Sequence, residues 1–161
     1  MHMPASTKVQ GDTQYSHTQK APLHLLLFGI ACLLLAIAVR NTEQPAAATI
    51  TALVAGMFLV LALSFRSLTV SDQGEWLSVR FGPLPLFGKR VPYSAITTVE
   101  AGRSSIIDGW GIHWLPMRGW TINLWGFQCA VLHLGKRIIR IGTDDVEGLV
   151  HFLQHKTAHP S

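Results

Sequence analysis

The stretch APLHLLLFGIACLLLAIAV at Ala21–Val39, followed by RNTEQP at 40–45 and AAATITALVAGMFLVLALSF at Ala46–Phe65, decides the architecture. Each apolar run approaches the roughly 20 residues a helix needs to cross a hydrocarbon core, and neither holds a Lys, Arg, Asp or Glu. The pattern predicts a transmembrane helical hairpin over 21–65. A cleaved signal sequence, for which Ala36-Ile37-Ala38 offers a small-x-small site, fits less well, because the apolar run and the polar lead are both long and a second span follows at once. Gly29 and Cys32 on the first span, and Ala52, Ala55 and Gly56 on the second, are small enough to let the two backbones approach closely.

On either side of the hairpin the composition changes. Residues 1–20 are rich in Ser, Thr, Gln and His, with Lys8, Asp12 and Lys20 the only charges, and read as a flexible tail. Lys8, Lys20, Arg66 and Arg80 flank the hairpin, whereas the connecting loop holds Arg40 offset by Glu43. The positive-inside rule then puts both termini in the cytoplasm, as expected of a multi-pass protein of the cytoplasmic membrane. The formal charge is +4, with ten basic against seven acidic residues from Arg66 onward. So small an excess suits an anionic membrane surface and argues against a nucleic-acid duplex as partner. Cys32 and Cys129 lie far apart in apolar surroundings and form neither a disulfide framework nor a metal motif.

From Ser67 the pattern alternates with period two. Leu77, Val79 and Phe81 fall on one face of a strand and Trp76, Ser78 and Arg80 on the other. Leu68–Val70 leads through Ser71-Asp72-Gln73-Gly74 into Glu75–Phe81, a hairpin with Gly at the turn, and Gly82-Pro83-Leu84-Pro85 interrupts pairing. Further strands are expected at Ala95–Ala101, Gly111–Leu115, Trp120–Trp125, Gln128–Leu134 and Arg137–Ile141, the last two joined by a tight turn at Gly135-Lys136. Val146, Leu149, Val150 and Leu153 then recur with helical spacing, after Thr143 or Asp144 as cap and with Asp144 and Glu147 spaced as a capping box. Antiparallel strands followed by one helix predict a strongly bent sheet with the helix over one open end, spanning 66–157 and leaving 158–161 as a tail.

Several motifs stand in an order that resembles the bacterial pleckstrin-homology-like (PH-like) domain proteins. They are Arg80-Phe81-Gly82-Pro83-Leu84-Pro85-Leu86-Phe87-Gly88, the Trp110-Gly111-Ile112 turn, Gly119-Trp120 through Trp125-Gly126, and Arg140-Ile141-Gly142-Thr143-Asp144-Asp145. The resemblance covers about residues 67–156. It implies a PH-like fold of about seven strands and a C-terminal helix behind a two-helix membrane anchor, and it implies little about activity.

Trp110, Trp114, Trp120 and Trp125 alternate with glycines, Met117 and Arg118, and indole rings favour the headgroup region; Trp120 shares a strand face with Ile122 and Leu124 and is expected in the core. Lys136, Arg137 and Arg140 surround the last turn, and Lys89 and Arg90 an earlier one, either facing anionic lipid or protecting a sheet edge. The first hairpin, Ser71-Asp72-Gln73-Gly74-Glu75, carries two acids and no base. That repels phosphate where phosphoinositide-binding relatives of the fold place cations.

His151, His155 and His159 could share one helix face, but without a supporting motif they read as an exposed helix end rather than a metal site. His113 and His133 read as structural. No nucleophile elbow, phosphate loop or dinucleotide fingerprint occurs, and Asp144 and Asp145 read as caps. The expectation is a non-catalytic, cofactor-free module that binds an unidentified protein partner or a second copy of itself. The alternative is an anionic-lipid or membrane-surface module using Trp110, Trp114, Arg118, Lys136, Arg137 and Arg140.

Overall fold

The computed structural model describes residues 14–104, 110–116 and 119–158. Its membrane-type element is a pair of antiparallel helices, α1 (Leu23–Arg40) and α2 (Pro45–Ser64). Pro45 opens α2 at the position where its missing N–H costs nothing, and the Asn41 N–H closes α1 onto the Ile37 and Ala38 carbonyls. The seam is alanine. Ala31 and Ala38 on α1 and Ala55 and Ala62 on α2 are buried, each pair two turns apart and hence on one face. Of the small residues expected at the seam only Ala55 is fully buried; Gly56 is half-buried, while Gly29, Cys32 and Ala52 face outward. The outer surface is apolar, with Leu25, Val39, Ile50 and Leu53 between 62 and 73% exposed. Both helices are long and apolar enough to cross a membrane.

Four strands form the first sheet in the order β1 (Ser16–Lys20), β2 (Ser67–Asp72), β3 (Trp76–Gly82) and β4 (Gly88–Pro92), each antiparallel to its neighbour. Strand β1 corrects the reading of residues 1–20 as a tail throughout. Its composition, Ser-His-Thr-Gln-Lys, buries little apolar surface, but an edge strand needs only a ladder and a few anchored side chains. The ladder is β2; Thr18 bonds Thr69 at 2.9 Å, Gln19 donates to the Trp125 carbonyl at 3.1 Å, and His17 pairs with Asp144 at 2.6 Å. The hairpin is thus inserted between partners, since Lys20 lies opposite Ser67. Its two flanks belong to one sheet and lie on the same side of it.

The second sheet contains β5 (Thr98–Arg103), β6 (Gly111–Leu115), β7 (Gly119–Asn123), β8 (Gln128–Leu134) and β9 (Arg137–Gly142), in the order β5-β8-β9-β7-β6. Two sheets of four and five strands therefore replace the single bent sheet of about seven, and no barrel closes. One pair, β7 with β9, is parallel rather than antiparallel. The bend at Leu124–Phe127, pinned by the Asn123 amide donating to the Gly126 carbonyl at 2.9 Å, carries β8 past β7 and leaves a slot. The strand Arg-Ile-Ile-Arg-Ile-Gly fills it, with Ile139 and Ile141 turned to the core.

That core joins both sheets. Leu77, Val79 and Phe81 meet Ile122, Leu132 and Ile141, and the helix α3 (Val146–Ala158) inserts Leu149 and Leu153, both fully buried. It packs on β5, β8 and the 3-10 turn Tyr93–Ala95. The cap is Asp145, whose carboxylate accepts the Gly148 N–H at 3.2 Å; Asp144, expected as cap and box partner, is taken by His17. Thr143 supports the turn by accepting the Asp145 N–H.

Phe152 lies between Tyr15 and Tyr93, and Asp72, buried, accepts hydrogen bonds from the Tyr93 hydroxyl and the Gly74 N–H and pairs with Lys156. Burial first, then the neighbouring carboxylates, push both tyrosine hydroxyls well above their ordinary range, so they remain donors. Leu153→Ala is expected to cost about 2–5 kcal/mol, a large share of a small domain's stability, read as a lowered melting temperature of the full chain in detergent. An unchanged melting temperature would undo the docking of α3.

Candidate functional site

Where the hairpin meets the sheets, aromatic rings collect. Phe65, closing α2, stacks on Phe87 at 5.4 Å and meets Phe81 edge-on at 4.9 Å. Gly111 lies against the same ring, where a Cβ would come within 3.8 Å of it. One residue earlier, Trp110 stacks on Trp125 with centroids 4.4 Å apart. The Trp125 carbonyl is held by Gln19, the last residue but one of β1. An exposed indole pair, 45% and 38% accessible, therefore stands beside both ends of the hairpin. Indole combines a large apolar face with one N–H donor, which suits the boundary between acyl chains and water.

A second feature lies between the sheets on the side that α3 does not cover. Edge strand β4 and the ends of β7 and β9 diverge, leaving a cleft of about 510 Å³, a size that accommodates a small molecule or a headgroup. Its walls include Trp114 and Trp120, which face each other in the β6–β7 register, and its rim carries Lys89, Arg90, Lys136 and Arg137. No carboxylate lines it, and none among the described residues pairs with these four cations. The Lys89 ammonium instead sits 4.5 Å from the centre of the Trp120 ring, while the Arg90 guanidinium lies on the opposite face of β4, 5.5 Å from Trp76, so that Arg90 borders the cleft only along the strand edge. Gly119 makes the narrow approach possible, with φ of +81° and no room for a Cβ beside the Ile138 carbonyl.

The candidate residues named from sequence separate into two groups. Trp110 goes to the hairpin junction with Trp125; Trp114, Lys136 and Arg137 go to the cleft, where Lys89 and Trp120 join them. Arg140 belongs to neither: alternation along β9 turns it to the face opposite Ile139 and Ile141, half-buried beside Thr121. Arg118 lies outside the described residues. Trp120, expected in the core with Ile122 and Leu124, is 38% exposed, because the inward row of β7 runs past the core into the cleft. The stacking of Trp110 on Trp125 and the convergence of Lys89 with Lys136 and Arg137 were not legible, since each depends on contacts between segments apart in the chain.

Two substitutions separate wall from core. Ile122→Ala removes a side chain with no exposure and is expected to cost about 2–5 kcal/mol, whereas Trp114→Ala, at a residue 58% exposed, is expected to cost about 1 kcal/mol or less. Thermal unfolding of the full chain in detergent checks the difference, and equal losses would mean that Trp114 is part of the core.

No protein-family model and no curated protein matches this chain, so what it does is argued from this geometry.

Proposed function

We propose that this chain is a non-catalytic, membrane-anchored module of the bacterial PH-like kind, whose folded part rests on the cytoplasmic leaflet and engages lipid at the surface. The observation that carries the reading is the stacked Trp110–Trp125 pair beside both flanks of the apolar hairpin. If the hairpin spans the bilayer, the β1–β2 pairing keeps both flanks on one side, and the indoles fall at headgroup depth. Lys20 and Arg66, adjoining the helix ends, support the cytoplasmic side.

Docking of a protein strand on a sheet edge has less support. Edge strand β4 carries Lys89, Arg90 and Pro92, which discourage added strands. Two-layer packing of antiparallel sheets with a C-terminal helix supports the PH-like assignment, from which the parallel β7–β9 pair departs.

Topology is tested with a reporter active only outside the cytoplasm. Fused near Thr42 it is expected to be active, and fused after Ser161 silent; the opposite pattern inverts the orientation. Depth is tested on the full chain in vesicles containing lipids brominated near the interface. Replacing Trp110 and Trp125 with Phe should remove more of the brominated-lipid quenching than replacing Trp76, while shifting the melting temperature by no more than about 4 °C. Equal quenching in both variants would remove the surface-docking reading.

A further inference from the structure

The cleft raises a question that the hairpin and the Trp110–Trp125 pair do not answer. Three of its cations come from two remote parts of the chain, Lys89 on the inner face of β4 and Lys136 and Arg137 at the β8–β9 turn, and they converge on one gap, whereas the Arg90 guanidinium lies on the other face of β4 over Trp76. Like charges brought together without a carboxylate repel each other, and an entering anion relieves that repulsion without first breaking an ion pair. The walls between them are apolar and aromatic, supplied by Trp114, Trp120 and the buried Ile139. Cations at the rim and indoles inside match a ligand whose charged end is joined to an apolar or ring-bearing part. A bare ion would leave the indoles unused.

We infer that this cleft binds a phosphate-bearing amphiphile, with the phosphate held among Lys89, Lys136 and Arg137 and its attached organic group against Trp114 and Trp120. Arginine supplies paired N–H donors to phosphate oxygens and lysine a mobile point charge, so the mixed set grips an anion of variable approach. Two sources share this chemistry, a phospholipid headgroup and a free organophosphate. The headgroup source rests on the surface-docked reading and the free one does not.

Distance is compatible with the headgroup. Phe87, two residues before Lys89, stacks on Phe65 at the end of α2, and Trp114 is three residues along β6 from Gly111 on the same ring. At about 3.3 Å per residue the near end of the cleft starts roughly 7–10 Å from the hairpin. A headgroup layer about 5–8 Å deep, with flexible headgroups above it, reaches that entrance.

The test uses the full chain in a neutral detergent, titrated separately with short-chain phosphatidylglycerol, short-chain phosphatidylcholine, glycerol phosphate and inorganic phosphate, with tryptophan fluorescence as readout. Saturable binding of phosphatidylglycerol is expected, tighter than that of phosphatidylcholine and weakened by salt. K89Q, and the pair K136Q with R137Q, should each weaken it on the order of tenfold or more at unchanged melting temperature, whereas R90Q, on the other face of β4, should change it by less than about threefold. Trp114→Ala should weaken phosphatidylglycerol more than inorganic phosphate. If glycerol phosphate binds as tightly as phosphatidylglycerol and loses affinity in the same variants, the cleft takes a free organophosphate, and that outcome stands whether or not the brominated-lipid experiment supports surface docking. Binding that ignores headgroup charge, or that survives both K89Q and the K136Q–R137Q pair, overturns the inference.

Discussion

Lys20 and Ser67 sit opposite each other in a β-ladder although the whole helical hairpin lies between them in the chain, and the rest of the molecule is arranged around that pairing. Neighbouring strands are about 4.8 Å apart, whereas packed helix axes are usually about 8–10 Å apart, so the helix pair must be held close for two-residue connections to bridge the difference. The alanine seam provides this. Ala31, Ala38, Ala55 and Ala62 keep the helices together, and the ends emerge where β1 and β2 can take them up. Two residues seal the joint: Ala21 is buried with the sheet residues, and Phe65, half-buried against the core, stacks on Phe87. Hairpin and sheets are therefore one folding unit. A chain cut at Arg66 loses β1, the ring of Tyr15 from its stack on Phe152, and Phe65 from the aromatic junction.

The same joint sets which surface adjoins the hairpin. β4 and β6 both leave the joint, from Phe87 and Gly111, and run away from α2; β7 and β9 return toward it, ending near Trp125 and Asn123. Aromatic rings are consequently concentrated at the junction and cations beside the cleft that begins there. Neither distribution needs a large net charge. The excess after Arg66 is small, yet four of the seven acids are engaged elsewhere, Asp72 with Tyr93 and Lys156, Asp144 with His17, Asp145 at the helix cap and Glu100 with His133, and no acid lines the cleft. What remains without a carboxylate partner around the cleft is positive.

Local signals carried much of the fold. The two apolar runs became α1 and α2 within two residues at each end, Gly111–Leu115 and Gln128–Leu134 became strands with those limits, and the stripe from Val146 to Leu153 became a docked helix. These elements were legible because their burial follows a period within one segment. Strand β1 was not, because its stability comes from a ladder with a segment beyond the hairpin. The insertion of β9 between β7 and β8 was hidden for the same reason, as alternation fixes which residues point inward but not which strand lies next door. Trp120 shows the limit most clearly. Its place in the inward row was correct, and its exposure followed from where the opposing sheet ends.

Edge protection accounts for part of the basic rim and stops there. β4 is an outer strand, so Lys89, Arg90 and Pro92 on it do what charges and proline do on exposed edges. Lys136 and Arg137 lie at the β8–β9 connection in the interior of the five-stranded order, where no edge is open to a further strand. A solvated turn needs at most one polar residue beside Gly135 and has no reason to face a further cation, Lys89, across an aromatic gap. Nor does the core require the gap, since α3, 13 residues long, closes the β5–β8 side and leaves this one open. The combination of an unfilled space, indole walls and cations from both sheets is unfavourable for stability on its own, and it is the pattern expected where part of the surface is shaped by a ligand rather than by folding.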